Sequence, residues 1–320
     1  MTPQAPISSG FGHSSVAAEV ISGVDLSGRT AVVTGGYSGI GVETVRALAG
    51  AGARVVVPGR DEAKAREALA GVSGDVALAA MDLADLASVK AFAADIVAAG
   101  PVHLLINNAG IMACPETRIE PEGWEQQFAV NHIGHFVLTE ALAPALKAAN
   151  GARVVALSSS GHRITDIRWD DVHFTSEPYD KWKAYGQSKT ANSLFAVELD
   201  RRMKDDGVRA FAVHPGGIQT PLQRHLPKEE MVAMGWIKEN GELSDIAKEM
   251  FKTVEQGAAT SVWAATAPTL DGMGGVYCED CDIAWLAKED APLHAHVRPH
   301  AVNPESAERL WAMTEAMLAG

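Results

Sequence analysis

Arg29-Thr30-Ala31-Val32-Val33-Thr34-Gly35-Gly36-Tyr37-Ser38-Gly39-Ile40-Gly41 passes from a short apolar run into a glycine-rich turn and then into a helix-forming stretch that ends near Ala49. Strand, glycine turn and helix in that order build a phosphate site. The glycines let the backbone approach a pyrophosphate, and the helix N-terminus offers unpaired N–H groups with partial positive charge. Gly35, Tyr37, Ser38, Gly39, Ile40 and Gly41 are therefore candidate cofactor contacts. The spacing G-x-x-x-G-x-G differs from the G-x-G-x-x-G of the general dinucleotide fingerprint, and a turn that merely connects strand to helix stays open on the glycines alone.

Working outward, apolar runs of strand length alternate with Ala-rich helical stretches. Val55-Val56-Val57, Val76 to Met81, Leu104-Leu105-Ile106, Val154 to Leu157 and Ala210 to Val213 lack a polar face. Strands buried on both faces belong to a parallel sheet covered by helices. The alternation predicts a single doubly wound α/β domain of Rossmann type, with a cofactor lying across the carboxyl ends of its strands. The expected organisation is an N-terminal arm over 1–28, the sheet domain over 29–282 and a tail over 283–320 packed on the same domain. Two substrate-loop insertions are expected at about 160–184 and 221–250.

Tyr185-Gly186-Gln187-Ser188-Lys189 falls on a predicted helix from Ala184 to Met203 and sets a phenol and an ammonium on one helix face. A free phenol titrates near ~10, and a cation held beside it lowers that value. By itself such a pair is more often a surface feature than a catalytic one.

T-G-x-x-x-G-I-G from Thr34, Asn107-Asn108-Ala109-Gly110, Asn131, Ser159, Tyr185-x-x-x-Lys189 and Pro215-Gly216, in that order, resemble the short-chain dehydrogenase/reductase family over roughly Leu26 to Cys281. Asn131 to Phe136 and the long interval between Ser159 and Tyr185 are similar to its retinol-dehydrogenase-like branch and to the reductase domain of WW-domain oxidoreductases. The resemblance implies a tetrad. Tyr185 would pass a proton to or from the substrate oxygen, and Lys189 would bind the nicotinamide ribose and favour the phenolate. Ser159 would hydrogen-bond the substrate oxygen, and Asn131 would position a water linking Lys189 to solvent. Ser158 and Ser160 are register rivals of Ser159, which is preferred for its distance from Arg153.

The resemblance also implies the rest of the cofactor site. Asp82 and Leu83 would border the adenine ring, and Asn108, Ala109 and Gly110 would let the cofactor lie against backbone. Pro215, Gly216, Ile218 and Thr220 would hold the nicotinamide end. Pro58-Gly59-Arg60-Asp61, after the second strand, bears on the choice of cofactor. A carboxylate there suits the ribose 2′-hydroxyl of NAD, and an arginine suits a 2′-phosphate. Arg60 favours NADP(H); NAD(H) stays open through Asp61.

Net charge −13, from 27 basic and 40 acidic residues, argues against a nucleic-acid or anionic-membrane surface. No targeting signal and no stretch of membrane-spanning length is evident, so a cytoplasmic enzyme without a membrane span is expected; homo-oligomerisation is left open. Cys114, Cys278 and Cys281 fit a reducing compartment, and one C-x-x-C does not make a zinc site, so no metal is expected. His294, His296 and His300 read as solvated. Between Ser159 and Tyr185 lie His162, Ile164, Ile167, Trp169, His173, Phe174, Tyr179 and Trp182. Facing Met231, Met234 and Trp236 they would wall an apolar pocket for a bulky hydrophobic substrate; alternatively they pack the insertion onto the body. The reading is hydride transfer between NADP(H) and a carbonyl or alcohol. Alternatives are reduction of a carbon–carbon double bond and a non-enzymatic cofactor-sensing protein, which would have no need of Tyr185.

Overall fold

The computed structural model describes residues 2–288, 290–291 and 296–320. His294 lies outside them. The main sheet has strands β1 (Thr30–Val33), β2 (Arg54–Gly59), β3 (Val76–Ala80), β4 (Leu104–Asn107), β5 (Ala152–Leu157), β6 (Val208–His214), β7 (Val276–Glu279) and β8 (Asp282–Ile283). Their spatial order is β8-β7-β6-β5-β4-β1-β2-β3, parallel throughout except for the β7/β8 pair. The chain winds from β1 out to β3 and then returns past β1 to β4. Its direction of travel thus reverses between β1 and β4, and the carboxyl ends of those two strands flank a ligand crevice, as in Rossmann-type α/β folds.

The apolar runs that showed no polar face are sorted here by face. Val32, Val56, Leu105 and Val154 enter one core, and Val33, Val55, Val57, Ile106 and Val155 enter the other. Period-two alternation is present, with both partners of each alternation buried. The first core lies under the helices Leu86–Ala99, Gly134–Ala148, Lys181–Met203 and Pro304–Ala319, the second under Ile40–Gly50 and Val254–Thr266.

Lys181–Met203 positions the site. Asp180 caps it by accepting from the N–H groups of Trp182 and Lys183. It is buried nearly all round, so it shows no amphipathic stripe, and its interior polar side chains bond inward: Gln187 to the Val172 carbonyl, Asn192 to the Leu157 carbonyl. The tail helix Pro304–Ala319 covers its outer side. There the Trp311 ring stacks on Phe195 with centroids 5.8 Å apart and meets Phe136 edge-on at 4.6 Å. The N-terminal arm runs along the β7/β8 edge. Gln4 donates to the Tyr277 and Ala284 carbonyls and accepts from the Tyr277 N–H, and the Asp282 carboxylate receives the N–H groups of Ile7, Ser8 and Ser9.

Candidate active site

A cleft of about 1730 Å³ opens over the carboxyl ends of the strands. Its floor is the glycine turn, and the absence of side chains there is a steric requirement. Gly35 has φ of +62°, and a Cβ on it would sit 2.9 Å from the Ala109 Cα; a Cβ on Gly41 would sit 2.3 Å from the Gly35 carbonyl oxygen. Thr34 ties the turn to the next strand. Its hydroxyl receives the Ala109 N–H at 3.0 Å and lies 2.9 Å from His135 Nε2, while Asn108 donates to the Thr34 carbonyl at 2.8 Å. Gly35, Tyr37, Ser38, Gly39, Ile40, Arg60, Asp82, Leu83, Asn108, Ala109, Gly110, Pro215, Gly216, Ile218 and Thr220 all line the cleft. Gly41 does not line it, and its part is to let the helix start close under Gly35. The cradle left by these backbone approaches fits the pyrophosphate and flanking riboses of a nicotinamide dinucleotide.

At one end of the cleft the Tyr185 and Ser159 side chains stand together on the wall, with Lys189 beside them. Ser159 is in extended conformation just before the 3-10 helix Ser160–Arg163, and its Oγ accepts the Gly161 N–H at 3.1 Å. Gly161 lies flat against the phenol: a Cβ there would come within 2.7 Å of Tyr185 Cε1. Ser158, the register rival, points into the protein, donating to the Lys189 carbonyl and accepting from Ser193, each at 2.8 Å. Lys189 Nζ donates to the Leu157 carbonyl at 3.1 Å and stands 5.7 Å from the Tyr185 ring centre.

Burial pushes the Tyr185 phenol up to about 12, with the neighbouring Ser159 hydroxyl working the other way, and pushes the Lys189 ammonium down to about 8. Burial thus outweighs any lowering of the phenol by the ammonium beside it.

Asn131 is fully buried in a π-helical turn, Ala129–Ile133, and does not border the cleft. Its amide bridges the Ile111 backbone in both directions, with Oδ1 accepting and Nδ2 donating at 2.9 Å, and it also donates to Ser188 Oγ at 3.0 Å. His135 connects this turn to the glycine turn, pairing with the Asn131 carbonyl through Nδ1 and with Thr34 through Nε2. No spacing in the sequence marks His135 for that role.

The insertion divides. Its ends supply Gly161, Ile164 and Trp182 to the cleft wall, whereas Ile167, Trp169 and Val172 join the first core and His173 stacks between Trp124 and Phe128. Trp182 meets Tyr185 and Trp236 edge-on, each at 6.4 Å. Glu230, from the second loop, accepts from Lys181 Nζ at 2.5 Å and from Trp182 Nε1 at 2.8 Å. Met234 and Trp236 line the cleft; Met231 packs behind them.

Arg60, its side chain 68% exposed, lies 3.9 Å from Asp82 at the adenine end, and Lys64 borders the same space, a cation that sequence reading did not single out. Asp61 instead caps the helix Glu62–Leu69, accepting the Lys64 N–H at 3.0 Å, and does not line the cleft. Cys278 and Cys281 are buried free thiols, and burial holds both well above the ordinary range. His296 and His300 are engaged, with Glu279 and with the His162 carbonyl respectively, so the reading of them as solvated is corrected. Among the described residues no cluster of three or more metal-ligating side chains occurs, and no helix is long and apolar enough to cross a membrane.

A dinucleotide cradle at the switch point of a parallel sheet, with a Ser–Tyr pair and a buried lysine at one end, defines an NAD(P)-dependent oxidoreductase. Residues 29–231 match the family described as short chain dehydrogenase, and the chain belongs to that family. A Streptomyces lividans protein named "Probable oxidoreductase" is 47% identical over 292 residues, which cover 90% of this chain and 97% of that protein. Retinol dehydrogenase 12 of Bos taurus is 38% identical over 301 residues, 92% of this chain and 88% of its own. Among solved structures, the Pseudomonas aeruginosa RhlG/NADP active-site complex superposes with a TM-score of 0.61 at 25% identity, covering 80% of this chain and 95% of that one.

Proposed function

We propose that this chain transfers hydride between NADP(H) and a carbonyl or alcohol group of a bulky, largely apolar substrate, with Tyr185 as the proton donor or acceptor. The observation that carries the reading is the hydroxyl pair of Ser159 and Tyr185 on the cleft wall, held by the Gly161 approach and backed by Lys189. When bound, the nicotinamide supplies or accepts the hydride. Burial keeps Tyr185 protonated at neutral pH, the form a proton donor to a carbonyl oxygen needs. Ser159 donates to the same oxygen and stabilises charge that develops on it. Lys189, short of a carboxylate partner, is placed to take ribose hydroxyls through Nζ, and Asn131 holds the Ile111 backbone beside it.

Preference for NADP(H) rests on Arg60 and Lys64 at the adenine end and on the engagement of Asp61 in a helix cap, which removes the carboxylate that would read a free 2′-hydroxyl. The structural likeness to an NADP complex agrees with this. The apolar substrate class rests on Ile164, Trp182, Met234 and Trp236 along the wall.

A panel of ketones, aldehydes and alcohols, followed by cofactor absorbance with NADPH and NADH, tests the reading. Tyr185→Phe should keep cofactor affinity while turnover falls by about 10² to 10⁴. Near-wild-type turnover in that variant removes Tyr185 from the mechanism.

A further inference from the structure

Arg163 closes the 3-10 helix Ser160–Arg163 that follows Ser159. It is only 8% exposed and borders the cleft, and none of its three guanidinium nitrogens has a hydrogen-bond partner. The other buried arginine and two half-buried ones are all paired. Arg153, equally buried, donates to the Ala264 carbonyl and to Asp271; Arg209 grips Asp200 with Nε and Nη2; Arg168 holds Asp171. A guanidinium stays charged throughout the physiological range, and a buried charge without acceptors is strongly unfavourable. This guanidinium, beside the reacting end of the cleft, has no acceptor from the protein, whereas Arg153, Arg168 and Arg209 each have one.

The surroundings define that acceptor. Glu279, the carboxylate whose charge acts on Arg163, is engaged by His296, whose N–H donates to both of its oxygens at 2.9 and 3.1 Å and whose Nδ1 lies at 3.0 Å. Arg298 adds positive charge, and the Tyr277 hydroxyl and the His162 ring stand behind. A single unpaired guanidinium with one carboxylate nearby suits a planar monoanion and disfavours a dianion. A carboxylate fits the fork with two parallel hydrogen bonds.

We propose that Arg163 binds a carboxylate carried by the substrate, so that the natural substrate is an amphipathic oxo acid or hydroxy acid with an apolar body. This rests on the reading of Ser159 and Tyr185 as the reacting end. A 3-10 helix rises about 2 Å per residue, so the backbones of Ser159 and Arg163 are roughly 8 Å apart, which places the carboxylate several bonds from the reacting carbon.

The test compares benzoylformate, 3-benzoylpropionate and 4-benzoylbutyrate with their methyl esters. Binding to the NADP⁺-loaded protein is measured by calorimetry, and turnover with NADPH separately, in wild type, Arg163→Met and Arg163→Lys. At least one acid should bind about tenfold to a hundredfold more tightly than its ester, a charge-assisted hydrogen-bond pair being worth that much. The preference should vanish in Arg163→Met and survive in part in Arg163→Lys. Acid and ester of equal affinity throughout the series, a preference that persists in Arg163→Met, or no binding of any member at millimolar concentration overturns the proposal. Binding preference without turnover of any member would uphold the Arg163 site and count against the reductase reading, so the two fail separately.

Discussion

The two ends of the cleft are built in opposite ways. The cofactor end is shaped by what is missing: glycines at 35 and 41 bring backbone against backbone, and the Thr34 and Asn108 side chains secure the arrangement through hydrogen bonds to backbone. The substrate end is shaped by what is present, rings and long side chains from two segments distant in sequence, joined by the Glu230 carboxylate. The first kind of site tolerates almost no added atom and reads the part of a ligand that never changes. The second tolerates many substitutions and reads the part that varies from substrate to substrate.

The largest effect that would break this contrast is expected at the floor. Alanine is the better helix former by roughly 1 kcal/mol, yet in Gly41→Ala a Cβ must occupy space 2.3 Å from the Gly35 carbonyl oxygen. Overpacking against backbone costs about 1–3 kcal/mol, so the clash wins. If the turn absorbs it, cofactor affinity should fall by up to about a hundredfold. Titration of NADPH into the variant measures this; wild-type affinity would show that the floor yields after all.

Next comes the end of the cleft proposed for the adenine, where the exposed Arg60 side chain would read the cofactor. Arg60→Asp removes the cation and sets a carboxylate opposite the 2′-phosphate, so the ratio of kcat/KM for NADPH over NADH should drop by about tenfold to a hundredfold. A wild type that already favours NADH would sink the assignment of Arg60.

The smallest functional effects should come from the substrate end, where two tryptophans of one insertion serve different ends. Trp182→Ala, at the wall, should reorder several-fold the preferences among bulky substrates and leave NADPH affinity alone. Trp169 packs on the first core with the Arg309 guanidinium 4.3 Å over its ring. Trp169→Ala should lower the melting temperature, at a cost below the about 3–5 kcal/mol of a fully buried ring, and keep the substrate ranking. Identical changes in both variants would show that the insertion acts as one packed unit.

These two tryptophans also mark how far the sequence could be read. Valine runs at β1, β2 and β5 disclose a sheet covered on both sides, because burial on both faces removes every polar residue from them. The turn at Gly35 to Gly41 is legible because only glycine permits such approaches. Trp169 and Trp182 are alike in the sequence, and only the path of the chain between Ser159 and Tyr185 sends one inward and the other to the cleft. The same holds for arginines: nothing in Gly161-His162-Arg163 announces that the guanidinium finds no acceptor, since pairing is decided by distant residues such as Glu279 and His296. His135 was visible only as part of a resemblance, and its bridge between Thr34 and Asn131 depends on a π-helical turn that has no sequence signature.

Glu230 receives hydrogen bonds from both Lys181 and Trp182, and so it couples the mouth of the insertion to the short helix Lys228–Ala233. A ligand that displaces the indole must drag that helix along or break the bond from Trp182 to Glu230. The two walls are thus tied together both at Glu230 and at the ring contact of Trp182 with Trp236. For anyone reshaping this enzyme, Glu230 is the place to begin: with the clasp intact, a change made on either wall is felt by the other, and Glu230→Ala should leave only the contact of Trp182 with Trp236 to carry that coupling.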